Sequence, residues 1–444
     1  MNLEIWGGNL LNTFSFHTLG CKVNHYESEA LIDIFEKHGY KYVDFDDEAD
    51  LYVINSCTVT NEAARKSRQM ARKAKRVNPA AKVIMIGCYS QVSPGEVADI
   101  DEVDYILGSD GKKELIKLLN KNNSNKFLKD IVEFRELREY EDLKLEELST
   151  TTRAYIKIED GCDQFCTYCI IPYARGMVRS RPIKSVNEQV KILIEKGVKE
   201  IVLTGTHLGA YGQDFPGNYR LSDLLEELIE IKGNFRIRIS SIEVTEIDDK
   251  FIDLIAKNKK ICSHIHLPLQ SGSERILRLM NRPYTREEFT KVVDLLYRSI
   301  PDLAITTDII TGFPGMTKKD FNLTYNYIKK INFSRLHVFP FSAREGTPAA
   351  RMKNRINGNI IKKYSNKLRE LNKELMLSFQ SKHLGKIKEI LIEEKRDNNT
   401  GLLTGLTNNY IRVNIDIEDK YINTIQKVKL LETIDYEKVK GVSV

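Results

Sequence analysis

Between residues 153 and 340 a short apolar run gives way to an amphipathic stretch six times over. The runs are AYIKIED (154–160), EIVLTG (200–205), FRIRISSIE (235–243), SHIHLPL (263–269), LAITTDII (303–310) and SRLHVFPF (334–341). Repeated strand–helix units demand a parallel sheet covered by helices. Six of them predict a central partial TIM-type (β/α)6 barrel, two units short of the full barrel, with its chemistry at the carboxyl ends of the strands.

A shorter block of the same kind precedes it. FSFHTLG (14–20), LYVINSC (51–57), KVIMIGC (82–88) and VDYILG (103–108) alternate with helical patterns near 25–38, 60–77 and 111–119, which predicts an N-terminal doubly wound parallel sheet. The charged segment 121–150 reads as a connector with one antiparallel strand pair. A helix is predicted over 357–383, where Ile361, Tyr364, Leu368, Leu371 and Leu375 form one apolar stripe. Short alternating runs after it predict a small C-terminal all-β barrel. The expected α/β architecture divides as 12–122, a connector 123–150, a barrel domain 151–380 and a β-domain 381–444. The leading MNLEIWGGNLLN is expected to be disordered.

The chain carries seven cysteines at wide spacing. In a reducing compartment an odd count reads as metal ligation plus a spare thiol. No apolar stretch approaches the roughly 18 residues of a membrane span, and the first residues lack a basic n-region. A cytoplasmic protein with no membrane partner is expected. The net charge of +6 permits a nucleic-acid partner without arguing for one.

Cys162, Cys166 and Cys169 lie in GCDQFCTYCIIPYARG (161–176), directly after the first barrel strand and therefore at the barrel mouth. Thiolates hold iron–sulfur clusters. This C-x3-C-x2-C spacing supplies three of the four ligands that a four-iron cluster can take. The next sulfur is Cys262, and His207 is remote in sequence. Tyr168 offers an aromatic plane beside the loop. The alternative is a structural zinc loop, but zinc sites usually draw four ligands from paired C-x2-C knuckles, and no second knuckle is present.

Cys21, Cys57 and Cys88 each end a predicted strand of the first block: LGC, INSC, IGC. The carboxyl ends of strands in an open α/β sheet form the ligand crevice, so three thiols from three strands would meet there, flanked by Asn24 and Asn55. The alternative is three unrelated core thiols. Cys262, without such company, reads as a core residue.

Together with LGCKVNHYESE (19–29), LTGTHLGAYG (203–212), LPLQSGSERILRLMNRPYT (267–285), DIITGFPG (308–315) and FPFSAREGTPAA (339–350), these segments give a chain similar over nearly its whole length to the methylthiotransferase branch of the radical S-adenosylmethionine superfamily. The resemblance implies two [4Fe-4S] clusters and S-adenosyl-L-methionine, with Cys21, Cys57, Cys88, Cys162, Cys166 and Cys169 as the metal-binding and catalytic residues. One cluster would generate a 5′-deoxyadenosyl radical, and the other would carry the sulfur to be inserted. Cofactor contacts are expected from Tyr168, Thr204, Gly205, Ser241, Glu243, Gln270, Asp308 and Phe339, with Phe341 helping to close the pocket. The C-terminal barrel resembles the RNA-binding TRAM module, although its eleven basic and ten acidic residues over 382–444 do not themselves argue for RNA.

Three substrate classes occur in that branch: threonylcarbamoyladenosine in tRNA, isopentenyladenosine in tRNA, and an aspartate of a ribosomal protein. Lys22-Val23-Asn24 after Cys21 is most similar to the first group. This implies a methylthio group placed at C2 of N6-threonylcarbamoyladenosine at position 37 of tRNA. An electron donor such as a flavodoxin-like reductant, a sulfur donor and a monomeric enzyme would go with it. Arg65, Arg68, Arg72 and Lys75 step along one face of the second helix beside Lys66, Lys73 and Arg76, opposite an expected core stripe of Ala63, Met70, Ala74 and Val77. Such a face can track phosphates or be an ordinary solvated helix. Arg175, Arg179 and Arg181 are read as a second RNA-binding cluster. The non-enzymatic alternative is a zinc-stabilised RNA-binding protein.

Overall fold

A computed structural model describes residues 5–6, 9–10, 12–121, 128–146 and 152–444. Its first sheet contains β1 (Thr13–Thr18), β2 (Lys41–Tyr42), β3 (Leu51–Ser56), β4 (Lys82–Gly87), β5 (Tyr105–Leu107) and β6 (Leu128–Asp130). They lie in the order β2-β1-β3-β4-β5-β6, and every pairing is parallel. The order reverses between β1 and β3, so the switch-point crevice opens at their carboxyl ends. Helices α1 (Lys22–Lys37) and α2 (Asn61–Val77) cover opposite faces. Leu51 and Val53 pack with Phe14, Leu31 and Phe35 on one side, while Tyr52 and Ile54 pack with Ala64, Ala71 and Ala74 on the other. A strand buried on both faces reads as the continuous apolar run LYVINS.

Three sequence expectations change here. The connector forms no antiparallel pair among its described residues; instead β6 extends the N-terminal sheet in parallel beside β5. The fully buried stripe of α2 is Ala64, Ser67, Ala71 and Ala74; Met70 and Val77 of the expected stripe pack against the same core, and Ala63 is turned partly outward. In the leader, Ile5–Trp6 pairs antiparallel with Asn9–Leu10; the expectation for most of its other residues lies outside the described residues, as do 122–127 and 147–151 of the connector.

The second unit has six parallel strands: β7 (Arg153–Lys157), β8 (Glu200–Thr204), β9 (Arg236–Ile239), β10 (His264–His266), β11 (Ala304–Thr311) and β12 (Arg335–Pro340). They form two three-stranded sheets in chain order, joined by the parallel bridges Ile237↔Ile261 and Ser241↔His266. Alternation along the strands divides the side chains. Ala154, Ile156, Ile201, Leu203, Ile237, Ile239, Ile265, Ile305 and Ile309 join the core under the helices. The intervening residues meet across the inner face: Glu200 pairs with Arg153, Arg236 and Arg238, and Thr306 bonds His264 and His266. Helix α3 (Gly358–Ser381) adds Leu368, Leu371 and Leu375 to the same core.

The C-terminal strands β13 (Ile387–Arg396), β14 (Leu403–Thr407), β15 (Arg412–Ile415), β16 (Ile425–Thr433) and β17 (Lys438–Ser443) close into a barrel of order β13-β14-β15-β17-β16. Its β14–β15 end plugs the amino-terminal end of the larger barrel. Arg236 donates to Leu406 O at 2.9 Å, Arg238 donates to Thr407 O at 3.1 Å, and the Tyr410 ring stacks on His264 at 4.3 Å. This leaves the opposite, carboxyl end of the strands for the cysteine loop.

Candidate active site

The loop after β7 is held by tight backbone geometry. Gly161 has φ of +99°, and a Cβ there would lie 1.9 Å from Met177 O, so no side chain fits. Cys162 N donates to Gly176 O at 2.9 Å, and Cys169 N donates to Cys166 O at 2.9 Å. Cys166 is buried, while Cys162 and Cys169 are half-buried. Burial and the neighbouring thiols push Cys169 up to about 12, and burial also raises Cys166. Thiols in this state need a metal to release their protons.

Arg282 organises this loop. It donates to Cys166 Sγ at 3.2 Å, pairs with Glu243, and reaches Tyr284 Oη at 3.1 Å and Tyr168 Oη at 3.5 Å. In the sequence, Arg282 is one arginine inside LPLQSGSERILRLMNRPYT and carries no signal until the strand ends are assembled. His207, remote in sequence, lies against the loop, between Asp163 and Glu246. These carboxylates, together with the Cys162 thiol, outweigh burial and raise its pKa well above the usual imidazole value.

The expected cofactor residues ring the same mouth. Thr204 is buried, and its carbonyl accepts from Ile158 N at 2.9 Å. Gly205 lies so close to Glu159 that a Cβ would meet Oε2 at 2.5 Å. Burial pushes Glu159 up to about 8, against the His207 N–H that its carboxyl accepts at 2.7 Å. Gln270 takes the left-handed conformation, φ +61°, and bridges Ile309. Asp308 contacts His266 Nε2 at 3.2 Å. Ser241 is exposed, Phe339 is 48% exposed, and Phe341 packs edge-on against Phe313.

Cys21, Cys57 and Cys88 follow β1, β3 and β4, three adjacent strands of the first sheet. A Cβ on Gly20 would come within 3.1 Å of Cys57 Sγ, which leaves room only for glycine beside Cys21. Asn24 ties the crevice together by donating to Leu19 O at 2.7 Å and to Ser56 O at 3.1 Å, and Asn55 donates to Asn24 O at 3.0 Å. Burial and the charges of Cys88 and Cys21 push Cys57 up to about 12; burial raises Cys88 as well. Cys262 is buried next to β10, away from both trios.

The two groups are joined by Arg175, the last residue of the short helix Ile171–Arg175 that continues the Cys169 loop. It donates to Cys88 Sγ at 3.1 Å, to Asn24 Oδ1 at 2.7 Å, to Glu27 at 2.6 Å and to Asp160 at 3.1 Å. Lys157 and Lys112 also reach Glu27, at 2.9 and 3.4 Å, all of them buried. The three cations overcome desolvation and hold Glu27 well below the usual carboxylate range.

This corrects one site expectation. Arg175, Arg179 and Arg181 are buried between the N-terminal sheet and the barrel, with Arg181 bonded to Tyr26 and paired with Asp142. They present no face to RNA. On α2 the basic face is partly neutralised: Arg65 pairs with Glu62, Arg72 with Glu102, Lys73 with Asp46 and Lys75 with Asp104, while Arg68 bonds Tyr89. Lys66 and Arg76 are exposed.

Each trio offers three sulfur donors and one buried arginine N–H directed at a thiol, a donor set that fits three corners of a four-iron cluster. Among the described residues, no three His, Cys, Asp or Glu side chains converge tightly enough for a single metal ion.

Comparison with known proteins gives the same assignment. A model described as the radical SAM superfamily matches residues 156–328, and one described as uncharacterized protein family UPF0004 matches residues 13–108. The chain is 42% identical to the threonylcarbamoyladenosine tRNA methylthiotransferase MtaB of Bacillus subtilis, covering 95% of this chain and 94% of that one. It is 36% identical to a tRNA-2-methylthio-N(6)-dimethylallyladenosine synthase of Caldicellulosiruptor saccharolyticus, over 97% and 93% of the two chains. The fold is similar to that of the radical S-adenosylmethionine methyltransferase TsrM of Kitasatospora setae, with a TM-score of 0.57 at 15% identity, over 76% of this chain and 77% of that one. Sequence identity along nearly full-length relatives, on a barrel whose mouth carries the cysteine loop, shows that the chain belongs to the radical S-adenosylmethionine methylthiotransferase family.

Proposed function

We propose that this chain inserts a methylthio group at C2 of N6-threonylcarbamoyladenosine at position 37 of tRNA. The observation that carries the reading is the pairing of two three-cysteine sets with one buried arginine each, Arg282 on Cys166 and Arg175 on Cys88. Cys162, Cys166 and Cys169 would hold the cluster that binds S-adenosylmethionine. Cys21, Cys57 and Cys88 would hold the second cluster, in the crevice of the first sheet. When bound, these groups supply one-electron cleavage of the sulfonium and a sulfur for transfer.

The chain's own residues set the conditions. Arg282, fixed by Glu243 and Tyr284, directs an N–H at Cys166 and favours its thiolate. Gly205 and Gln270 bring backbone to the mouth where a cofactor would lie, and burial raises Glu159, favouring a carboxyl form that donates as well as accepts there. Thr204, Ser241, Glu243 and Asp308 supply polar partners for the cofactor, and Tyr168 and Phe339 supply aromatic faces. The C-terminal barrel, read as TRAM-like, together with Lys66, Arg72 and Arg76 of α2, would track the tRNA backbone. A flavodoxin-like reductant and a sulfur donor complete the proposed partners of a monomeric enzyme.

The reading favours threonylcarbamoyladenosine because the MtaB relative named above is the more similar of the two tRNA-modifying relatives. Mass spectrometry of tRNA nucleosides from a deletion strain tests it. Loss of only the methylthio form of threonylcarbamoyladenosine is expected. An unchanged tRNA profile with a ribosomal protein of altered mass would overturn it.

A further inference from the structure

Lys22, the residue after Cys21, leaves the N-terminal sheet and enters the larger barrel. Its Nζ donates to Ser240 Oγ at 3.1 Å. Ser240 follows β9 in the alternation Arg236, Arg238, Ser240, the set that faces inward. The ammonium therefore crosses from one domain into the inner space of the other, beside the candidate sulfur-carrying crevice.

No carboxylate among the described residues is paired with it. Glu200, whose charge reaches Lys22, is shared among Arg153, Arg236 and Arg238. Asp308 is bonded to His266. The charges that act on Lys22 are of both signs, Arg238 and Arg153 on one side and Glu200 and the Cys21 thiol on the other. A half-buried ammonium beside three arginines that already share one carboxylate, with a neutral hydroxyl as its hydrogen-bond partner, has unused capacity for an anion. Other buried cations of the chain are built differently: Arg175, Lys157 and Lys112 all converge on Glu27.

We propose that Lys22, with Ser240, forms a subsite inside the barrel for the free carboxylate of the threonylcarbamoyl substituent. The inference rests on the functional reading above and deepens it. The threonylcarbamoyl group ends in an amino-acid carboxylate, whereas a dimethylallyl group is an uncharged hydrocarbon. A charge-assisted bond to a carboxylate would distinguish the two, and it would hold the base beside Cys21.

The test uses full-length, anaerobically reconstituted protein and anticodon stem-loops carrying either threonylcarbamoyladenosine or its carboxyl methyl ester. Binding is read by fluorescence anisotropy. Wild-type protein is expected to prefer the acid by about tenfold or more. Lys22→Met is expected to bring that ratio close to one. Lys22→Arg is expected to retain a preference. Lys22→Met protein that keeps the wild-type ratio overturns the subsite, and so does wild-type protein that binds acid and ester equally. The second criterion stands even if Lys22→Met fails to hold iron. Wild-type protein that methylthiolates the dimethylallyl loop and not the threonylcarbamoyl loop overturns the functional reading itself, a distinct failure.

Discussion

Arg175 Nε donates to Cys88 Sγ at 3.1 Å, so a residue of the barrel domain directly touches a thiol of the N-terminal sheet. The same guanidinium binds Glu27 of α1 and Asp160 of the loop after β7. One side chain thus fixes the crevice thiols relative to the Cys162–Cys169 loop.

Removing it should be costly. Arg175→Met leaves Glu27 and Asp160 buried with fewer cations, and breaking a buried ionic cluster from one side typically costs about 3–5 kcal/mol. Arg175→Lys should recover only part of this, because an ammonium cannot donate in a fork to Cys88, Asn24 and Glu27 together. Urea unfolding of the two variants beside wild type measures the loss. Wild-type stability in Arg175→Met would show that the network is dispensable.

The two trios should fail differently. Cys166→Ala is expected to abolish formation of 5′-deoxyadenosine. Cys57→Ala is expected to keep that cleavage and lose methylthio product. Chromatography of the nucleoside and mass spectrometry of the tRNA read both steps. Full product from both variants would contradict a division of labour.

The exposed basic residues of α2 give a salt-dependent prediction. Lys66→Ala, Arg72→Ala and Arg76→Ala together should weaken tRNA binding and reduce the slope of log affinity against log salt by about two to three. Substituting Glu for the surface residue Lys257, already paired with Asp253, should change neither much. A salt titration of binding decides it, and an unaltered slope in the triple variant would remove α2 from the RNA path.

His383 gives the expected pH dependence. It is buried where α3 meets the C-terminal barrel, with Nε2 3.3 Å from Asn409 Nδ2. Burial pushes its pKa from 6.5 down to about 4, so the folded protein holds it neutral. Between those values the unfolded chain binds a proton that the folded chain does not. The stability it contributes is present above 6.5 and is lost as pH falls toward 4. His383→Asn should flatten the stability profile across that window, as measured by urea unfolding at several pH values. A profile as steep as wild type would place the titrating group elsewhere.

The strand ends were legible in the sequence because parallel strands are buried on both faces and appear as unbroken apolar runs; LYVINS and KVIMIG located Cys57 and Cys88 within a residue of their places. The C-x3-C-x2-C loop was legible because all its ligands are local. What was not legible depends on contacts between distant segments. Glu27 and Lys157 carry no signal in the sequence, since nothing in either segment shows that α1 lies against β7. Arg175, Arg179 and Arg181 carry the spacing of a basic surface cluster, and only the domain interface reveals them as buried ion-pair partners. β6 was missed because a three-residue strand in a charged segment has no periodicity of its own. The α2 stripe was legible in part: Met70, Ala74 and Val77 do face the core, but Ala64 and Ala71 were passed over because alanines stand at 63, 64, 71 and 74, so composition alone fits more than one face.

The central claim is that this chain holds two separate clusters on three thiolates each. Iron analysis with Mössbauer spectroscopy of anaerobically reconstituted protein tests it most directly. About eight irons per chain are expected in wild type, and about four in either the Cys21→Ala/Cys57→Ala/Cys88→Ala or the Cys162→Ala/Cys166→Ala/Cys169→Ala protein. Wild-type protein with about four irons, or a triple variant that keeps the wild-type content, would contradict it.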